Sequence, residues 1–204
     1  MVLIILAPVV SPGEPTPLME LFFDLVLLAG VASISTGGTH RLPFGILTLI
    51  TLVVRWADIM TGQTALVLIS VGLSLAWVSY AIFIVVPALF RERDVTLNTL
   101  YGAAVAYLLI AVAFTFLFGL IEFLSPGAFS GMPTHEGQRP GAVSDALLYF
   151  SLTSVTTMGY GDIVPVHGLA RSCSVLEGAI GQLYLAVMIA RLVGLHLATE
   201  KRGG

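Results

Sequence analysis

Long apolar runs separated by short polar breaks dominate the chain. A helix that crosses about 30 Å of hydrocarbon needs about 20 mostly apolar residues, at about 1.5 Å of rise each. Residues 18–36, 42–60, 64–90, 97–124 and 172–199 meet or approach that length and predict five spans. The opening run 1–10 is about half as long, so the expected total is five spans or six. The breaks support these divisions. Ser11-Pro12-Gly13-Glu14-Pro15 closes the first run, Gly37-Gly38-Thr39-His40-Arg41 separates the second and third, and Arg91-Glu92-Arg93-Asp94 follows the fourth. Such breaker and charged segments are excluded from hydrocarbon.

Residues 125–171 depart from this pattern. The stretch from Ser125-Pro126-Gly127 to Pro140-Gly141 reads as an exposed loop, and residues 142–155 then turn apolar again. About fourteen helical residues reach only two-thirds of the way across the core, so a half-span that enters and leaves on one side is expected. Thr156-Thr157-Met158-Gly159-Tyr160-Gly161-Asp162 follows it, with Pro165 just beyond. Irregular backbone at that depth must be buried in protein or line water.

Composition confirms the setting. Charged residues make up 10% of the 204 and hydrophobic ones 57%, with a mean hydropathy of +0.98. Soluble domains carry about 25% charged residues. An ordinary soluble enzyme, a nucleic-acid binder and a disordered chain are therefore excluded. Nine basic residues leave no patch for phosphates, and the single Cys173 allows neither an intrachain disulfide nor a cysteine metal cluster. The expected fold is an all-α integral membrane protein. Arg41, Arg91, Arg93, Lys201 and Arg202 fall on one side if the spans alternate. Glu14, Glu20, Glu122, Glu136, Asp145 and Asp162 fall on the other. Positive charge favours the cytoplasm, so the C-terminus is expected inside and the mouth near Asp162 outside, in a multi-pass cell-membrane protein.

Residues 156–162 resemble the selectivity filter of the potassium channel family, Thr-Val-Gly-Tyr-Gly-Asp, in its usual setting between a short apolar helix and a long one. The resemblance covers roughly residues 97–199. It implies a pore domain over 97–204, with an outer helix 97–124, a pore helix 142–155, a filter 156–162 and an inner helix 172–199. It also implies a re-entrant filter loop in a homotetrameric pore in the bilayer. K+ would be the permeant ion, held by carbonyls of Thr157, Met158, Gly159, Tyr160 and Gly161. Thr156, Asp162, Tyr149, Phe150 and Glu177 would support that loop. Tyr160 is suited to bracing against Tyr149 or Phe150, and Asp162 would concentrate cations at the mouth. Gly178 and Gly181 lie mid-way along the inner helix, as a gating hinge or as close-packing points. Gln182 would border a central cavity.

Two residues depart from the family pattern. Met158 replaces valine and packs less rigidly. Thr153 stands where some members keep a carboxylate that pairs with the Asp after the filter, so Asp162 needs another partner. Residues 1–96 read as a helical domain without a voltage sensor, because 64–90 holds no arginine. Asp24 is an intramembrane acid that could pair with Arg55 or with another helix, Arg55 and Asp58 are three apart and can pair along one helix face, and Arg191 could reach the headgroups, in a structural more than a gating role. The expected activity is passive, potassium-selective conduction. The alternatives are a non-selective cation channel and a non-conducting subunit or receptor of channel-like fold. No enzyme chemistry, cofactor, nucleic-acid partner or small-molecule substrate besides the ion is expected.

Overall fold

The computed structural model describes residues 23–25, 27, 41–92, 96–133 and 145–203. Its elements are α1 (Arg41–Thr61), α2 (Thr64–Arg91), α3 (Leu97–Leu124), β1 (Phe129–Ser130), α4 (Asp145–Val155), β2 (Val164–Pro165) and α5 (Gly168–Gly203). Four helices, α1, α2, α3 and α5, are long and apolar enough to cross a membrane. The predicted run 1–10 and most of 18–36 lie outside the described residues. Phe23, Asp24, Leu25 and Leu27 are helical.

Local chemistry sets the helix ends. Gly62 takes a φ of +63° and its N–H bonds the Asp58 carbonyl at 2.8 Å, closing α1 before α2 begins. Thr96 caps α3 reciprocally with Thr99: each hydroxyl accepts from the other's backbone N–H, at 3.3 and 3.4 Å. Polar side chains within the apolar helices turn back on their own backbone. Thr48, Thr51 and Thr115 donate to the carbonyls four residues earlier, which satisfies hydroxyls where water is scarce.

α3 is the central helix. One side packs on α2, which in turn packs on α1; the other side packs on α4 and α5. On the α1–α2 side, Phe44 lies 4.9 Å from Trp77, whose indole donates to Thr48 Oγ1 at 2.7 Å. Asp24 pairs with Arg55 at 3.4 Å, and the guanidinium lies over Phe23, which meets Phe116 of α3 at 5.2 Å. The two buried ions thus neutralise each other, where a lone charge would be expensive. On the other side, Phe118 contacts Phe114, Phe129 and Phe150.

α5 begins at Gly168, four residues before the predicted 172. His167 explains the difference. Its Nδ1 accepts the Leu169 N–H at 3.3 Å, and its carbonyl accepts that of Arg171 at 3.0 Å. This starts the helix ahead of Arg171, before the long apolar run. Arg191 donates to the Glu92 carbonyl at the end of α2 and lies over Phe90, 5.3 Å from the ring centroid. It is therefore tied to the end of α2, a structural role.

Candidate functional site

The site is built on α4, whose 11 residues span about 16 Å, roughly half of a hydrocarbon core. Asp145 opens it, with Oδ1 accepting the Ala146 N–H at 2.9 Å. Residues 142–144 of the predicted half-span lie outside the described residues. At the far end the chain leaves the helix in steps. The N–H groups of Thr156, Thr157 and Gly159 bond the carbonyls of Leu152, Ser154 and Thr153 at 3.0–3.1 Å.

Beyond α4 the backbone alternates in hand. Thr157, Gly159 and Gly161 have φ of +61°, +52° and +78°, whereas Met158 and Tyr160 between them do not. Glycine takes the left-handed region without penalty. A β-branched residue does not, so Thr157 is a strained position, of the kind that persists where surrounding structure enforces it. Side chains of Met158 and Tyr160 are exposed along this loop.

The loop is tied laterally. Tyr160 stacks on Tyr149, with ring planes 4° apart and centroids at 6.4 Å. The Tyr149 hydroxyl also lies in the electrostatic reach of the Asp162 carboxylate. Tyr149 is thus a group beside Asp162 in the absence of a carboxylate at Thr153; Thr153 itself is buried and donates to the Phe150 carbonyl at 2.9 Å. Phe150 points elsewhere. It packs edge-on against Phe118 and Phe129 at 5.3 and 5.2 Å, so it fixes α4 to α3 while Tyr149 meets Tyr160.

Three supports carried no signal in the sequence. β1 pairs antiparallel with β2, Phe129 opposite Pro165 and Ser130 opposite Val164. Glu122 holds the preceding turn, accepting the N–H groups of Gly127 at 2.7 Å and Phe129 at 3.3 Å. Gly131, at φ +83°, comes so close to the Asp162 carbonyl that a Cβ would lie 1.8 Å from its oxygen. A strand after the filter motif and an acid before the loop hint at such ties only once their separation in space is known.

Behind the loop, the Tyr107 hydroxyl of α3 donates to the Val155 carbonyl at 2.7 Å. The Ser151 hydroxyl lies within reach of two oxygens, the Ala111 carbonyl at 2.7 Å and Oε1 of Glu177. Glu177 is fully buried. Gly181 abuts the end of α4, where a Cβ would meet Val155 Cγ2 at 2.5 Å and the Val155 oxygen at 3.2 Å. Nothing stands within 4 Å of a Cβ on Gly178. Gln182 is exposed on α5.

With this geometry in hand, comparison with known proteins is informative. Residues 102–195, from α3 through the loop into α5, match the family model described as ion channel. The chain has two similar curated relatives. Over 52 residues it is 42% identical to the inward rectifier potassium channel Kirbac3.1 of Paramagnetospirillum magnetotacticum, covering 26% of this chain and 17% of that one. Over 98 residues it is 24% identical to Protein LctB of Bacillus caldotenax, covering 48% of this chain and 72% of that one. No solved structure matches. The resemblance to potassium channels drawn from the filter motif is supported by these matches. The match to an ion-channel family model and the four long apolar helices among the described residues make this a multi-pass membrane protein.

Proposed function

We propose that the chain is one subunit of a homotetrameric channel that conducts K+ passively and selectively through a ring of backbone carbonyls. The observation that carries this reading is the alternation of hand at Thr157, Gly159 and Gly161 directly after a half-length helix. In an extended strand, successive carbonyls point to opposite sides. Alternating left- and right-handed residues instead turns successive carbonyls toward one side. A cation that sheds water there meets dipoles in place of its hydration shell, without the full charge that would trap it.

Carbonyls of Thr157, Met158, Gly159, Tyr160 and Gly161 would face the axis, with Asp162 at the outer mouth raising the local cation concentration. One loop cannot encircle an ion. Its exposure in the single chain, and the bare apolar face of α5 at Val175, Leu183, Val187 and Val193, support a closed ring of four copies. In this reading residues 97–204 form the pore domain and residues 1–96 an accessory helical domain. The mouth faces outward and the C-terminus lies in the cytoplasm.

Reconstituted protein under opposed K+ and Na+ gradients tests the reading. The reversal potential is expected to follow the K+ gradient, and one indifferent to K+ refutes selectivity. Met158, an exposed and flexible thioether in the loop, favours a second reading, a cation channel of low selectivity. The same permeability ratio separates the two.

A further inference from the structure

Three helices meet behind the loop in two parallel rungs. Tyr107, Val155 and Gly181 make the first, through the 2.7 Å hydrogen bond and the glycine contact. Ala111, Ser151 and Glu177 make the second. On each helix the two members are four residues apart, one turn of α-helix. The end of α4 is therefore gripped twice, by α3 on one flank and α5 on the other.

The second rung contains a proton-counting constraint. The Ser151 hydroxyl owns one proton but faces two oxygens, the Ala111 carbonyl and Glu177 Oε1. A carbonyl accepts only, and an ionised carboxylate accepts only. With Glu177 ionised, one of the two oxygen–oxygen contacts would lack a proton and be repulsive. With a proton on Oε1, both are satisfied: Glu177 donates to Ser151 Oγ, and Ser151 donates to the Ala111 carbonyl. The surroundings agree. Glu177 is fully buried, its Oε2 has no hydrogen-bond partner, and no cation pairs with it among the described residues. The nearby ionisable side chain, Tyr107, is itself a donor to Val155. An anion at this depth would stand uncompensated.

We infer that Glu177 is a neutral carboxylic acid that acts as a hydrogen-bond donor, a positioning residue that fixes α4, and with it the ion-coordinating loop, between the outer and inner helices. Its effect on conduction rests on the channel reading above; its protonation does not. Loosening this rung lets the end of α4 shift, and the loop that leaves α4 at Thr156 shifts with it.

Infrared spectroscopy of the purified full chain in D2O at neutral pH tests the protonation directly. A carboxylic-acid carbonyl band is expected in the wild type and is expected to vanish in Glu177→Gln. A wild type whose spectrum loses only an ionised carboxylate band on that substitution overturns the inference. Flux measurements test the positioning role. Glutamine retains a donor and is expected to keep the K+/Na+ permeability ratio within about twofold, whereas Glu177→Leu and Ser151→Ala lower it by about tenfold, the equivalent of one buried hydrogen bond. Size-exclusion profiles of each variant verify folding. A leucine variant with the wild-type ratio, or a glutamine variant as damaged as leucine, overturns the positioning role. Should the wild type fail to select K+, the channel reading falls and the infrared result alone decides the state of Glu177.

Discussion

Replacing Gly181 with alanine isolates the contact between α5 and the end of α4. The new Cβ would lie 2.5 Å from Val155 Cγ2, 3.2 Å from the Val155 oxygen and 3.7 Å from Tyr107 Cε2. Val155 is fully buried and β-branched, so its side chain has little room to turn aside. Its oxygen already accepts from Tyr107. Gly178→Ala supplies the reference, because it lies in the same helix and meets nothing within 4 Å. Both substitutions gain about 1 kcal/mol of helix propensity, which cancels in the comparison. What remains is overpacking, about 1–3 kcal/mol per subunit. At about 2–4 °C per kcal/mol for a chain of this size, Gly181→Ala should melt about 2–12 °C below Gly178→Ala. Thermal unfolding of the detergent-purified proteins, followed by tryptophan fluorescence, reads this difference. Equal melting temperatures would refute the packing argument. Equal temperatures with an altered open probability would assign Gly181 to a hinge.

Gly159→Ala meets no neighbour but must hold φ +52°, at a cost of about 1–2 kcal/mol; K+ flux should be lost while the size-exclusion profile is unchanged. Tyr149→Phe removes the hydroxyl beside Asp162 and keeps the stacked ring, so a drift of K+/Na+ selectivity during sustained current is expected in electrophysiology, with melting shifted little. Arg191→Gln removes both the bond to the Glu92 carbonyl and the contact with Phe90. Loss of a charged hydrogen bond predicts about 1.5–3 kcal/mol of destabilisation by thermal melting, and an unchanged midpoint would count against the clamp.

Much of this fold can be read along the chain because the apolar runs are long and their punctuation is chemical. The bounds of α3 coincide with the run 97–124, and α2 exceeds its run by Arg91 alone. α5 starts early because one histidine caps it, a local device that hydropathy does not register. The loop motif located the site, yet its supports were only partly visible. Which of Tyr149 and Phe150 backs Tyr160 depends on how α4 is rotated against α3, and that rotation is decided by Phe118 and Phe129, far away in sequence. Ser151, Tyr107 and Glu122 are ordinary polar residues in an apolar chain, and only distance in space reveals what each one holds.

The contacts that seat the loop, Tyr107 with Val155, Ser151 with Ala111 and Glu177, and Tyr149 with Asp162, all lie within one chain. A subunit seated by these contacts can fold before the proposed ring closes. This has a genetic consequence. A subunit defective only in the handedness of its loop still folds, still joins the proposed tetramer and still contributes one faulty quadrant. Equal co-expression of such a mutant with the wild type would leave only about one assembly in sixteen free of it, given random mixing of four subunits. The defect would behave as dominant, whereas a lesion in the seat, which removes the subunit before it can assemble, would behave as recessive.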